Sequence, residues 1–233
     1  MTGLTHADIL TLYNTFHSPI AAFDCGNRCS PYNEYGIPFC CDTRHVIPSA
    51  YQSEWRYLQE STDLWHLWQA ENPEDTMRLR EQAQPGQVLI ECRGHLQCQR
   101  GYRSIACRAF PFFPYISSSR EFLGLSIYWE YVDRCWVISN LHAVTGDYCQ
   151  EAVSAFEMIF VQSPADLDHF ASFSESMRGE FKRKNRMIPL LHRNGQTYKI
   201  SAGNERMHCV GSSDFPKFGV YRLAASLPFP GEE

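Results

Sequence analysis

Apolar positions first fall at helical spacing in residues 5–17, where Ile9, Leu10, Tyr13 and Phe16 recur and Thr5 can cap the start. Residues 49–70 carry Tyr51, Trp55, Leu58, Leu64, Trp65 and Trp68 and predict one or two short amphipathic helices. A further helix is expected over 147–162, capped by Asp147, and another over 164–184, starting at Pro164 and ending in a basic stretch. Residues 88–92 (VLIEC) are β-like. So are 122–131 and 135–139, which are joined through Val132-Asp133-Arg134 and predict a hairpin. A second hairpin is predicted where IPLLH and QTYKI flank Arg193-Asn194-Gly195, because Asn-Gly suits a tight turn. Residues 220–227 predict a last strand. Two stretches break the pattern. Residues 23–48 have no helical period and contain Gly26, Pro31, Gly36, Pro38 and Pro48; residues 71–86 are polar, with Pro73, Pro85 and Gly86, and read as a loop with at most a helical turn.

The 233 residues allow one sizeable core or two small units sharing an interface, and a hydrophobic fraction of 44% with 14% aromatics describes a folded chain. A net charge of −5 gives no general electrostatic reason to expect nucleic acid. No apolar run reaches the length of a membrane helix, and the first residues lack the basic and apolar regions of a signal peptide. A cytoplasmic protein with reduced thiols is expected, without membrane contact.

Against that background the ten cysteines carry the chemistry. Seven fall in two irregular loops: Cys25, Cys29, Cys40 and Cys41 in the first, Cys92, Cys98 and Cys107 in the second. Thiolates packed together repel unless a cation joins them, and tetrahedral zinc or an iron–sulfur cluster takes four. These seven are the candidate metal ligands. The spacing matches neither a zinc ribbon nor the common ferredoxin patterns. Side chains of adjacent residues diverge, so either one of Cys40 and Cys41 is a ligand and the other packs, or they serve two nearby centres. Neither loop alone supplies a convincing tetrad, so the two are expected to converge, with Trp55, Trp65 and Trp68 packed beside them. The connection between them is no obstacle, since loop closure costs only about 0.6 kcal/mol more per doubling of length. Cys135, Cys149 and Cys209, in predicted regular elements, are expected to be packed thiols.

These segments resemble the YkgJ-like cysteine-cluster family, described as zinc- or iron-chelating domains. The resemblance covers about residues 23–114 and rests on FDCGNRC, on Cys40-Cys41, Cys92, Cys98 and Tyr102, and on Cys107-Arg108-Ala109-Phe110-Pro111. Two departures stand out: Arg103-Ser104 occupies a place where family members usually carry Arg-Pro, and the stretch from Cys29 to Cys40 is long. The resemblance implies metal binding and no particular reaction; a likeness to the cysteine region of flagellin lysine methylases keeps an enzymatic role open.

Other residues leave alternatives open. His45 and His95 can complete a coordination sphere or stand as ordinary loop histidines. Arg108 can offset the charge of a thiolate cluster or form a surface ion pair. The run Phe110–Tyr115 is expected to pack over the metal loops, and the cations from Arg178 to Arg186 to form a solvated helix end, with an anionic partner such as RNA or an acidic protein surface as the alternative. No Gly-rich phosphate loop, Gly-x-Ser-x-Gly elbow or His-Glu-x-x-His pattern occurs.

The expected architecture is α+β: irregular cysteine-rich metal-binding loops packed on helices, followed by hairpins and helices. A cysteine-cluster region (1–120) and an α+β C-terminal region (121–233) are expected to form one continuous globular unit. The expected function is a metal-binding protein, with zinc or iron (in one form an iron–sulfur cluster) in a structural role and a surface for a protein partner. The alternative is an iron–sulfur or iron-dependent enzyme of redox or protein-modification chemistry.

Overall fold

The computed structural model describes residues 3–223. The fold is α+β, with two antiparallel sheets and eight α-helices among the described residues. Helix α1 (His6–Thr15) begins with a capping box, Thr5 and Asp8 satisfying each other's backbone N–H, and buries Ile9, Leu12 and Tyr13. It packs on α3 (Gln52–Ser61), as the apolar spacing requires. Between them lie α2 (Gly26–Cys29) and two turns of 3₁₀ helix, Ser30–Tyr32 and Phe39–Cys41, so the expected irregular loop is a chain of single turns.

The small sheet places β3 (Gln87–Cys92) between β1 (Ser49–Tyr51) and β2 (Trp65–Leu67). Trp65 thus sits in a strand, where helix was expected. Residues 71–86 hold a full helix, α4 (Pro73–Gln82), where a loop was expected. Asn72 caps it and Pro73 occupies its first turn, a position where proline starts a helix.

The larger sheet has the order β4 (Phe112–Ile116), β5 (Phe122–Ile127), β6 (Met187–His192), β7 (Thr197–Ser201) and β8 (Met207–Cys209). Just before it lies the short α5 (Ile105–Ala109). The Asn194-Gly195 turn joins β6 and β7, with Gly195 at φ 82. The hairpin expected between 122–131 and 135–139 does not form. Strand β5 pairs with β4 on one side and β6 on the other, so both its edges are filled, and 137–139 makes a 3₁₀ turn. Close approach in this sheet fixes Gly124: its φ is 143, and a Cβ there would collide with the Leu191 carbonyl.

Helices α6 (Gly146–Gln162) and α7 (Pro164–Arg183) pack on each other, and α7 lies on β4 and β6. Thr145, not Asp147, caps α6. A single turn, α8 (Val220–Leu223), replaces the start of the last expected strand; 224–227 lies outside the described residues. One apolar cluster runs from Leu4 and Ile9 to Ile200 and Tyr221, joining both halves of the chain. Phe110–Tyr115 is buried within it. The basic run is largely engaged: Arg178 pairs with Glu205 at 3.2 Å and donates to the Ile116 carbonyl, while Arg183 and Lys184 pair with Glu180. Among the described residues, no helix is long and apolar enough to cross a membrane.

Candidate metal centre

The first cysteine loop is held by its polar residues. Asp42 accepts from Asn33 at 3.0 Å and from the Nε and Nη2 groups of Arg44 at 2.7 and 2.9 Å. Burial opposes its charge, but these donors hold its carboxyl down at about 2. Gly26 is needed where the loop folds on itself, because a Cβ would meet the Pro38 ring at 2.8 Å. In the second loop the Trp65 indole donates to the Tyr102 carbonyl at 2.8 Å, and Ser104 caps α5 through the Cys107 N–H.

Cross-links then bring the loops together. Arg100 pairs with Asp24 at 3.1 Å, and Thr43 donates to Glu91 at 2.6 Å. All seven cysteines of the two loops line one cavity of about 710 Å³, and Cys135 lines it with them. Trp65 also lines it, as does Trp136, whereas Trp55 and Trp68 do not belong to its wall. Cys149 and Cys209 lie elsewhere, Cys209 exposed. All ten cysteines are free thiols.

The cavity environment disfavours isolated thiolates. Burial, with the charges of Cys41 and Cys92 added, pushes Cys107 up to about 12. Burial also raises Cys29 to about 11 and raises Cys25 and Cys92. Cys40 and Cys41 share an S–H···S contact at 3.9 Å, which raises Cys40 and lowers Cys41, the latter also favoured by Arg103. The Arg103 guanidinium donates to the Cys98 sulfur at 3.1 Å. Soft donors this concentrated, in a site that opposes bare negative charge, are chemically suited to a thiophilic cation. They are not closed around one: among the described residues, no group of three or more His, Cys, Asp or Glu side chains is arranged to hold a metal ion.

The histidines divide. His95 lines the cavity, whereas His45 packs on Phe39 and faces Asp42. Arg108 does neither of the things expected of it. It is buried, lies over the Tyr13 ring at 4.3 Å, and donates to the carbonyls of Tyr13, Phe16, Gly101 and Arg103. The cations beside the thiols are Arg103 and, near Cys25, Arg100.

Sequence reasoning also missed Cys135, which no spacing relates to the loops, and a further part of the cavity wall. There Tyr51 and His169 lie beside the buried Asp166, among Phe110, Tyr128 and Phe173.

Glu54, fully buried on the cavity wall, accepts from the Tyr13 hydroxyl at 2.9 Å and the Ile105 N–H at 2.7 Å, tying α3 to α1 and α5. Burial raises its carboxyl to about 7, against the pull of those donors. The folded state therefore holds a proton that the unfolded chain releases above about 4.5. This contribution is complete below pH 4.5 and is lost as pH rises to 7, a change on the order of 3 kcal/mol. Urea midpoints of wild type and Glu54→Gln, measured from pH 5 to 7.5, should diverge, the wild type weakening relative to the variant. Parallel curves would show that Glu54 is not the titrating group.

No family model, no curated protein and no solved structure matches this chain.

Proposed function

We propose that this chain is a cytoplasmic metal-binding cysteine-cluster protein, in which zinc or iron organises the N-terminal half and the surface serves a protein partner. The observation that supports this most is the convergence of two sequence-distant cysteine loops on one cavity. Residues 23–114 also resemble the YkgJ-like pattern. Thiols of Cys25, Cys29, Cys40, Cys41, Cys92, Cys98 and Cys107 would hold the metal; when bound, it supplies the positive charge that lets them ionise together. Arg103 holds positive charge at the Cys98 sulfur, and Trp65 lines the same cavity.

A second reading, an iron or iron–sulfur enzyme of redox or protein-modification chemistry, is favoured by size. A volume of about 710 Å³ exceeds what an ion needs and falls among those of ligand sites. Metal analysis and a visible spectrum on protein purified without oxygen test both. Iron with sulfide gives a brown protein and zinc a colourless one. Protein that holds no metal, even after anaerobic addition of zinc or of iron with sulfide, overturns the proposal.

A further inference from the structure

Resting on that metal-binding reading, we propose that Cys135 is an eighth ligand and that the cavity holds two four-thiolate centres, one of Cys25, Cys29, Cys40 and Cys135, the other of Cys41, Cys92, Cys98 and Cys107. Eight thiols are twice the set that one tetrahedral ion takes. Cys135 is fixed by the turn that follows Trp129–Tyr131, where its N–H donates to the Tyr131 carbonyl at 2.9 Å, and its side chain is buried on the cavity wall. The thiols within electrostatic reach of it are Cys29, Cys25 and Cys40. On the other side, Cys107 lies within reach of Cys41 and Cys92, and Cys92 within reach of Cys41 and Cys98.

Cys149 shows what a merely packed thiol looks like here. Burial alone raises it, with no cysteine partner, and it is not part of the cavity wall. The two sets meet at Cys41, which shares one 3₁₀ turn with Cys40, sulfurs 3.9 Å apart, and also lies within reach of Cys29. This assigns the adjacent pair to different centres. The same separation is close to the edge of a single tetrahedron of thiolates, about 3.8 Å for Zn–S bonds of about 2.3 Å, so counting ions decides between the two. Arg103, at the Cys98 sulfur and within reach of Cys40 and Cys41, sits where the negative charge of two such centres would add.

Cobalt(II), whose thiolate complexes absorb in the visible and near ultraviolet, is the probe. The reduced full-length protein, titrated without oxygen, should bind two cobalt ions per chain. Cys135→Ser and Cys98→Ser should each bind one, with about half of the thiolate-to-cobalt absorbance, and Cys149→Ser should bind two. One ion in the wild type, or two in Cys135→Ser, overturns the proposal. No cobalt in the wild type instead overturns the metal-binding reading. If Cys135→Ser fails to fold, wild-type protein loaded with zinc decides the matter. Maleimide labelling mapped by mass spectrometry should then leave Cys135 unlabelled until chelator is added, while Cys209 labels throughout. Equal labelling of Cys135 with and without zinc overturns the assignment.

Discussion

Stripping the proposed metal from reduced, metal-loaded protein with a strong chelator should lower its Tm by about 10 °C or more, since each kcal/mol moves the midpoint of a chain this size by about 2–4 °C. The cause lies in what else holds residues 23–48. Their backbone is a series of single turns, with no strand between Cys25 and Cys41. The cross-links to the second loop are few, and the Arg100–Asp24 pair is half exposed, worth at most about 1 kcal/mol. Apparent binding energies on the order of 10 kcal/mol for structural zinc are folding energy as well. Amide hydrogen exchange should localise the loss to 23–114 and leave the β5–β6–β7 ladder protected. Cys107→Ser should reproduce the effect, and Cys149→Ser should not. An unchanged Tm and exchange pattern after complete metal removal would mean that the loops fold without an ion.

Much of the fold is legible locally. Thr5, Pro164 at the start of α7, and Asn194-Gly195 all act within a few residues of themselves, and each element forms where the pattern places it. Errors arise where a distant partner decides. Residues 135–139 are as apolar as a strand, yet the edge of β5 they would need is taken by β6, more than fifty residues later. Trp65–Leu67 becomes a strand because β3 offers it Ile90–Cys92. The candidate site divides in the same way. Seven cysteines were visible as two loops because their spacing is short. Cys135 was not, because only the tertiary fold carries it to Cys25 and Cys29. Arg103 and Arg108 could not be told apart in sequence. Their roles depend on which faces sulfur and which faces carbonyl oxygen.

That difference makes Arg108 a stability residue, and Arg108→Met should cost about 3–5 kcal/mol. Its guanidinium serves carbonyls from both ends of the N-terminal half: Tyr13 and Phe16 around the end of α1, Gly101 and Arg103 before α5. Methionine fills much of the space but donates nothing, leaving these carbonyls without the donor that joins them, at roughly 1–3 kcal/mol for each one kept from water. Arg108→Lys should recover little, because one ammonium on a flexible stem cannot span four oxygens that a planar fork reaches together. Arg103→Leu provides the contrast. Its guanidinium is the one at the Cys98 sulfur, so its loss should weaken metal retention with a smaller change in stability. Urea unfolding of the three variants, alongside cobalt titrations, separates the roles. A stability for Arg108→Met within about 1 kcal/mol of wild type, together with loss of metal, would return Arg108 to the cysteine cluster and refute its assignment to the carbonyls.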